Sequence, residues 1–149
     1  MPRAMSKAVA SVFLAVAILA LGGMVVSSVS LYHHYGTSKT SYCDIGENFD
    51  CDIVNRSTYS TVLGIPDALI GILGYGSLLA LVTKYRTRTE TPLILLIAST
   101  AGLGFALYLT YIEAYVLGTW CILCLSSLTL IFLITILSSF LVASSLRRA

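Results

Sequence analysis

The chain has 149 residues, a length typical of one domain. Hydrophobic residues make up 57% of it and charged residues only 11%, less than half of the roughly 25% usual in soluble domains. So few charges cannot cover a surface in water, and the composition therefore excludes an ordinary soluble domain and indicates an integral membrane protein. A net charge of +2, with no basic cluster and no glycine-rich phosphate loop, gives no indication of nucleic-acid binding.

Four apolar segments follow one another along the chain, at about residues 8–30, 65–83, 92–116 and 120–146. Each is long enough for a helix that crosses a bilayer, which needs roughly 20 residues. Helices are predicted because isolated strands would leave backbone groups unpaired in lipid. The first segment follows Arg3 and Lys7 as a signal peptide would, but it is too long for a signal core and has a poor cleavage site. A retained anchor, and one membrane domain over residues 1–149, is therefore predicted.

The positions of Lys and Arg in the short loops predict the orientation of these helices. One side of the membrane receives most of the basic residues, namely Arg3, Lys7, Lys84, Arg86, Arg88, Arg147 and Arg148. The other side has only Lys39 and Arg56, in a loop of about residues 31–64 that also contains acidic residues. A multi-pass protein of the cell membrane with both termini in the cytoplasm is predicted.

This topology places all four cysteines on the extracytoplasmic side, where disulfides persist. Cys121 and Cys124 open the fourth segment, and their spacing puts both on one face of the first helical turn. The helix N-terminus stabilises a thiolate there, so the pair is interpreted as a redox-active dithiol. The alternatives are a static disulfide or half of a zinc site.

Cys43 and Cys51 lie in a polar loop. They are either a structural disulfide or a mobile pair that meets soluble thiols on one side and the membrane-edge pair on the other. The four thiols together have the number of ligands that zinc needs, but nothing in their spacing favours zinc over thiol exchange. A chain of dithiols that ends at a membrane needs an electron acceptor soluble in lipid, and a quinone is the obvious candidate.

Further polar residues occur near the ends of the apolar segments. Tyr108 and Tyr111 share one helix face, and a ring-lined pocket would explain a hydroxyl as deep as that of Tyr108. The acids Asp67 and Glu113 are either functional groups or side chains that reach the interface. His33 and His34 are interpreted as solvated interfacial residues rather than as metal ligands. Most glycines of the second and third segments are expected to mark close helix packing.

Two stretches, "CDIVNRSTYSTVLGIPDALIGILGYGSLLAL" and "YLTYIEAYVLGTWCILCLSS", resemble the vitamin K epoxide reductase family in its microbial form. They match a loop cysteine, a serine six residues later, Gly-Ile-Pro at a helix start, and a tyrosine-bearing helix before Cys-x-x-Cys. The resemblance implies a four-transmembrane-helix bundle around a quinone, with a short amphipathic cap helix at about residues 51–60. The fold class is therefore an all-α membrane protein.

The resemblance also implies residue roles. Cys124 would pass electrons to the quinone, Cys121 would exchange with Cys51, and Cys43 would complete the outer pair. Ser57 would orient the thiols near the quinone. Asp67 stands where many members have an asparagine that binds a quinone carbonyl, and Leu128 stands where animal members have a tyrosine associated with vitamin K.

The predicted function is that of a membrane thiol:quinone oxidoreductase, which relays electrons from a separate thioredoxin-like protein to a quinone of the menaquinone, ubiquinone or vitamin K type. It would thereby promote disulfide formation in exported proteins. No metal and no fused thioredoxin-like domain are expected. The alternatives are a vitamin K epoxide or quinone reductase that draws electrons from partner thiols, a non-catalytic bundle with structural disulfides, and a zinc-binding sensor.

Overall fold

The computed structural model describes residues 5–36 and 47–148, with residue 52 by its backbone alone. In chain order the elements are α1 (Lys7–Tyr35), α2 (Cys51–Arg56), a 3-10 turn (Thr58–Ser60), β1 (Thr61–Val62), β2 (Ile65–Pro66), α3 (Asp67–Lys84), α4 (Thr91–Ile112), a π-helical turn (Glu113–Leu117) and α5 (Ile122–Arg148).

Within the described residues, four helices are long and apolar enough to cross a membrane. They are α1, α3, α4 with its π-helical turn, and α5, so the predicted four-helix membrane bundle is confirmed. The largest difference in bounds is at α1, which begins after its N-cap Ser6 and continues to Tyr35 rather than ending near Ser30. The short helix α2 and the turn after it occupy the range expected for the cap.

The helices pack with α1 against α3 and α5, and with α4 against α5. Their shared core includes Phe13, Val16, Leu78 and Ile134, each at most 3% exposed. Large apolar side chains also cover the outward faces; Leu14 of α1, for example, is 63% exposed. Because water would disfavour so much apolar surface, these outward faces indicate contact with lipid.

A two-residue hairpin connects the cap to α3. Its strands β1 and β2 pair antiparallel, and the turn residues Leu63 and Gly64 have φ values of 53° and 81°. Two positive φ values define a hairpin turn whose twist suits the flanking strands. The second apolar segment, expected to be helical from Ile65, therefore begins as a strand and becomes helical at Asp67.

The opposite end of the bundle contains both ends of the described chain. The guanidinium group of Arg148 donates a hydrogen bond to the Ser6 hydroxyl at 2.6 Å. In the connection from α3 to α4, the Thr91 hydroxyl donates to the Tyr85 carbonyl at 2.5 Å. Most of the basic residues counted above flank this end, and we call it the basic end; the end that contains Cys51 and Cys121 is the cysteine end.

Candidate functional site

Two backbone hydrogen bonds hold the start of α2 against the start of α5. The Trp120 N–H donates to the Asn48 carbonyl at 2.8 Å, and the Asp50 N–H donates to the Trp120 carbonyl at 3.1 Å. Together they form a parallel β-bridge, and each of its two segments continues directly into a cysteine. Cys51 and Cys121 are therefore brought side by side although they are far apart in the sequence.

The two cysteines belong to a small buried cluster at the cysteine end. Cys51, Val54 and Cys121 form it, Cys124 packs against it, and both Cys51 and Cys121 are 0% exposed. Cys51 is disulfide-bonded, whereas Cys121 and Cys124 are free thiols. The fourth predicted site cysteine, Cys43, lies outside the described residues.

Asn55 of α2 is a buried residue of this cluster that the sequence pattern did not identify. Its side-chain nitrogen donates to the Cys51 carbonyl at 2.9 Å and lies 3.9 Å from the Cys121 sulfur. Its side-chain oxygen accepts a hydrogen bond from the Ser30 hydroxyl at 3.2 Å. An amide N–H directed at a sulfur favours the thiolate form. The spacing of one helical turn from Cys51 is the signal that could have found Asn55.

Polar contacts fix α2 to the last turn of α1. The His34 Nδ1–H donates to the Asn55 carbonyl at 2.5 Å, and the Ser60 hydroxyl donates to the same oxygen at 2.7 Å. Arg56 donates to the carbonyl oxygen of His33 at 3.3 Å. The expectation that both histidines are solvated is wrong for His33, which is 1% exposed, because α1 is longer than predicted and α2 packs against it.

Ser57, the serine expected to orient the thiols, lies just after α2. Its hydroxyl donates to the Val54 carbonyl at 2.8 Å, which closes the end of that helix. The hydrogen bond to the Cys121 sulfur comes from Asn55 instead. The structure thus places a different polar side chain of the cap at the thiol.

A cavity of about 360 Å³ lies between the four long helices and is bordered by Cys124. Its walls are mostly small or apolar, and include Val26, Ala68, Gly71, Gly74, Ala98, Ala101, Gly102, Phe105, Leu109, Leu123 and Ile131. At Gly74 an added Cβ would meet no atom within 4 Å, so this glycine opens space; at Gly71 it would collide with the Ser27 hydroxyl at 2.6 Å. Close packing therefore explains Gly71 but not Gly74.

A few polar groups face this apolar cavity. Asp67, the first residue of α3, is one of them, and Tyr75 lies about two helical turns further along the same helix. The Tyr75 hydroxyl is 2.8 Å from the Ser127 carbonyl and 2.9 Å from the Ser127 hydroxyl. The volume is in the range of small-molecule sites, and such walls with a few polar groups suit a mostly apolar ligand.

Tyr108 and Tyr111 do not border the cavity, as a role in the pocket would require. They share a face of α4, as predicted, but that face points outward: the two side chains are 55% and 58% exposed. The Tyr111 ring packs on the Tyr115 ring, with centroids 5.1 Å apart. The side chains of α4 that line the cavity include Phe105 and Leu109.

Glu113 is buried behind the cysteines and is 1% exposed, so the interpretation that it reaches the interface is wrong. One of its carboxylate oxygens accepts the Cys121 N–H at 3.1 Å. Its backbone carbonyl accepts the N–H groups of Gly118 and Thr119, the latter at 3.2 Å, and Gly118 has a φ of 62°. Glu113 thereby fixes the turn that leads from α4 to the Cys-x-x-Cys pair.

The thiol of Cys121 lies immediately before α5 and outside the membrane-spanning segments. A hydrogen bond with the Cys124 side chain lowers the pKa of Cys121; burial and the nearby Glu113 carboxylate act in the opposite direction but do not cancel it. The thiolate is the nucleophile of thiol–disulfide exchange. The sulfur packed with Cys51 is therefore the one favoured as a nucleophile.

Comparison with known protein families agrees with this geometry. The model of the vitamin K epoxide reductase family matches residues 14–139, which is most of the chain. The chain belongs to this family. Its members are membrane oxidoreductases that work between thiols and quinones, and the four long helices identify this chain as a multi-pass membrane protein.

Proposed function

We propose that the protein is a membrane thiol:quinone oxidoreductase that oxidises a separate thioredoxin-like protein and so promotes disulfide formation in exported proteins. Electrons pass from the partner to the Cys43–Cys51 pair, then to the Cys121–Cys124 pair, and finally to a quinone of the menaquinone, ubiquinone or vitamin K type. The observation that carries this proposal is the single buried cluster in which Cys51 meets Cys121 while Cys124 borders the cavity.

The exchange between the two pairs conserves electrons at each step. A partner thiolate attacks the Cys43–Cys51 disulfide, and resolution of the mixed disulfide leaves the partner oxidised and this pair reduced. The Cys51 thiolate then attacks Cys121 in the Cys121–Cys124 disulfide and frees the Cys124 thiol. Attack of Cys43 on Cys51 restores the first disulfide and leaves the inner pair as two thiols.

After this exchange Cys51 is again in a disulfide, while Cys121 and Cys124 are free thiols. The inner pair then holds the two electrons beside the cavity. A bound quinone supplies the two-electron acceptor. Asp67 in its protonated form and the hydroxyl groups of Tyr75 and Ser127 would hold its carbonyl groups, and the cap formed by α2 keeps water from the thiols.

The proposed orientation has both termini in the cytoplasm and all the cysteines outside. It is supported by the clustering of basic residues at the basic end, opposite Cys51 and Cys121. A membrane-impermeant maleimide tests this orientation on sealed vesicles that carry single cysteines placed at Ser6 or at Leu63. Labelling of Leu63→Cys from the extracytoplasmic side only, and of Ser6→Cys from the cytoplasmic side only, is expected.

The function itself is tested with the purified protein, a reduced thioredoxin-like protein and menadione as the quinone. Wild type is expected to oxidise the partner and to reduce menadione in equal amounts. Cys51→Ala should stop partner oxidation but still reduce menadione when dithiothreitol reduces the inner pair directly. Cys121→Ala and Cys124→Ala should stop both reactions.

Ser126→Ala is a matched control on α5, because the Ser126 hydroxyl bonds to the Ile122 carbonyl of its own helix. If every cysteine variant reduced menadione at the wild-type rate, the enzyme proposal would be wrong and a bundle with structural disulfides would remain. A parallel assay with vitamin K epoxide separates the epoxide reductase alternative: turnover of the epoxide but not oxidation of the partner would favour that alternative.

A further inference from the structure

The carboxyl group of Glu113 is buried next to both thiols of the inner pair. One oxygen accepts the Cys121 N–H at 3.1 Å, and the other, Oε1, has no hydrogen-bond partner within the described part of the chain. The Cys124 thiol is within electrostatic reach of this carboxyl group, although it forms no hydrogen bond with Oε1 in the described structure. A buried carboxyl oxygen without a partner is costly, and inside a membrane such a group is a functional candidate.

The local backbone is built to hold this side chain in place. α4 changes from α-helical to π-helical winding at Glu113, and the turn closes on the Glu113 carbonyl through the N–H groups of Gly118 and Thr119. π-helical turns are rare in proteins, and those that do occur often lie at functional sites. If Glu113 only capped the start of α5, one carboxylate oxygen would be enough. The burial of the other oxygen, Oε1, would then remain unexplained.

We propose that Glu113 is the proton acceptor for Cys124 when the inner thiol pair delivers its electrons to the quinone, a role that rests on the function proposed above. The Cys124 S–H bond breaks and its proton moves to Glu113, while the Cys121–Cys124 disulfide bond forms. The two thiols lose two electrons and two protons: the proton of Cys124 goes to Glu113, and the proton of Cys121 is lost to water when its thiolate forms. The quinone would take up the two electrons with two protons from water and leave as the hydroquinone. Glu113 then returns its proton to water before the next turnover, so that no net proton is gained or lost.

Three titratable groups face Glu113 in the described structure: Cys121 and Cys124 at the start of α5, and Asp67 at the start of α3. Thiols and carboxyl groups are either neutral or negative. Proton transfer from Cys124 to Glu113 moves the negative charge from one group to the other without adding a second one, so it avoids a pair of buried anions.

Glu113→Gln separates this role from a structural one, because glutamine can still accept the Cys121 N–H but cannot take up a proton. Single-turnover reduction of menadione by the dithiothreitol-reduced variant is expected to slow by about 100- to 10,000-fold, the usual contribution of a general base. The remaining rate should increase with hydroxide concentration, whereas the wild-type rate should reach a plateau. Glu90→Gln, at the exposed start of α4, is the charge control and should behave as wild type.

Infrared difference spectroscopy gives a readout that does not depend on rate. In a time-resolved measurement, oxidation of the wild-type thiol pair by menadione should transiently produce the carbonyl stretch of a protonated carboxyl group, shifted in D₂O and missing in Glu113→Gln. Absence of this band in the wild type would overturn the proposal even if the variant failed to fold. A wild-type rate and pH profile in Glu113→Gln would also overturn the proposed role of Glu113. The thiol:quinone function would stand in that case as long as Cys124→Ala is inactive. An active Cys124→Ala would refute the function itself.

Discussion

The side-chain nitrogen of Asn55 lies 3.9 Å from the sulfur of Cys121. The same amide group donates to the carbonyl oxygen of Cys51 and accepts from Ser30 of α1. One buried side chain thus connects the cap helix, the first bundle helix and the sulfur that opens α5. Its position couples the location of the cap to the reactivity of Cys121.

Asn55→Leu keeps a similar size but removes the amide. We expect exchange between Cys51 and Cys121 to slow by about tenfold, because a buried hydrogen bond of this kind contributes about 1–3 kcal/mol when its loss leaves partners unsatisfied. The rate of inner-pair reduction by the Cys43–Cys51 pair, measured by rapid acid quench and alkylation, reports this step.

Asn48→Ala is the control for this variant, since Asn48 contributes its backbone carbonyl to the bridge and its side chain is exposed. Reduction of menadione by a chemically reduced inner pair should continue in Asn55→Leu. An unchanged exchange rate would show that the amide is only a packing element.

The lowered pKa of Cys121 predicts a pH dependence. The ¹³Cβ shift of Cys121 in the reduced protein should titrate with a pKa below that of an unperturbed thiol, and Cys124→Ala should move the midpoint upward because the first cause of the shift is the Cys124 hydrogen bond. A group with a lowered pKa in the folded state contributes stability above its unfolded pKa. That contribution is lost as the pH falls through the folded pKa.

Gly74→Leu should fill part of the cavity. An added Cβ at Gly74 meets no atom within 4 Å, so the larger side chain extends into the space beside the cavity walls without disturbing the helices. We expect the KM for menadione to rise by at least about tenfold, which corresponds to about 1.4 kcal/mol. Steady-state kinetics with varied menadione measures this change.

Gly104→Leu is the matched control, because Gly104 of α4 is exposed and free of atoms within 4 Å, as Gly74 is, but does not border the cavity. It should leave the KM unchanged. An equal effect of both substitutions would place the quinone elsewhere.

Gly23→Ala should destabilise the bundle, because its Cβ would overlap the Tyr75 ring. Overpacking of this kind costs about 1–3 kcal/mol. It would also displace the Tyr75 hydroxyl from Ser127. The neighbouring Gly22→Ala meets Leu130 only at an ordinary 3.8 Å and should be neutral or stabilising by up to about 1 kcal/mol. Unfolding in detergent, followed by circular dichroism, compares the free energies; equal values would contradict the expected clash.

The four membrane helices were predictable because a bilayer demands long apolar segments, and the cysteine pairs were visible from their spacing and placement. Tyr108 and Tyr111 show what this reasoning could not predict. Periodicity tells which residues share a helix face, but in a membrane protein both the lipid and the core are apolar. The pattern therefore could not tell that this face points outward.

Asn55 and Glu113 show a second reason why part of the site could not be predicted from the sequence. Asn55 reaches Cys121 only because a backbone bridge joins two distant segments, and no local pattern indicates that bridge. Glu113 is buried because α4 changes to π-helical winding at this residue. Both depend on tertiary contacts or on a backbone irregularity that propensity does not encode.

The complete burial of Cys51 and Cys121 has a consequence for selectivity in a cell. Small thiols dissolved outside, such as reduced glutathione, find neither sulfur on the surface. In the proposed cycle this burial slows reduction by small thiols at cellular concentrations and favours electron entry from a protein that engages the chain's own loop or shifts its cap. If the proposed function holds, the fold would thereby keep abundant low-molecular-weight reductants from draining the quinone pool.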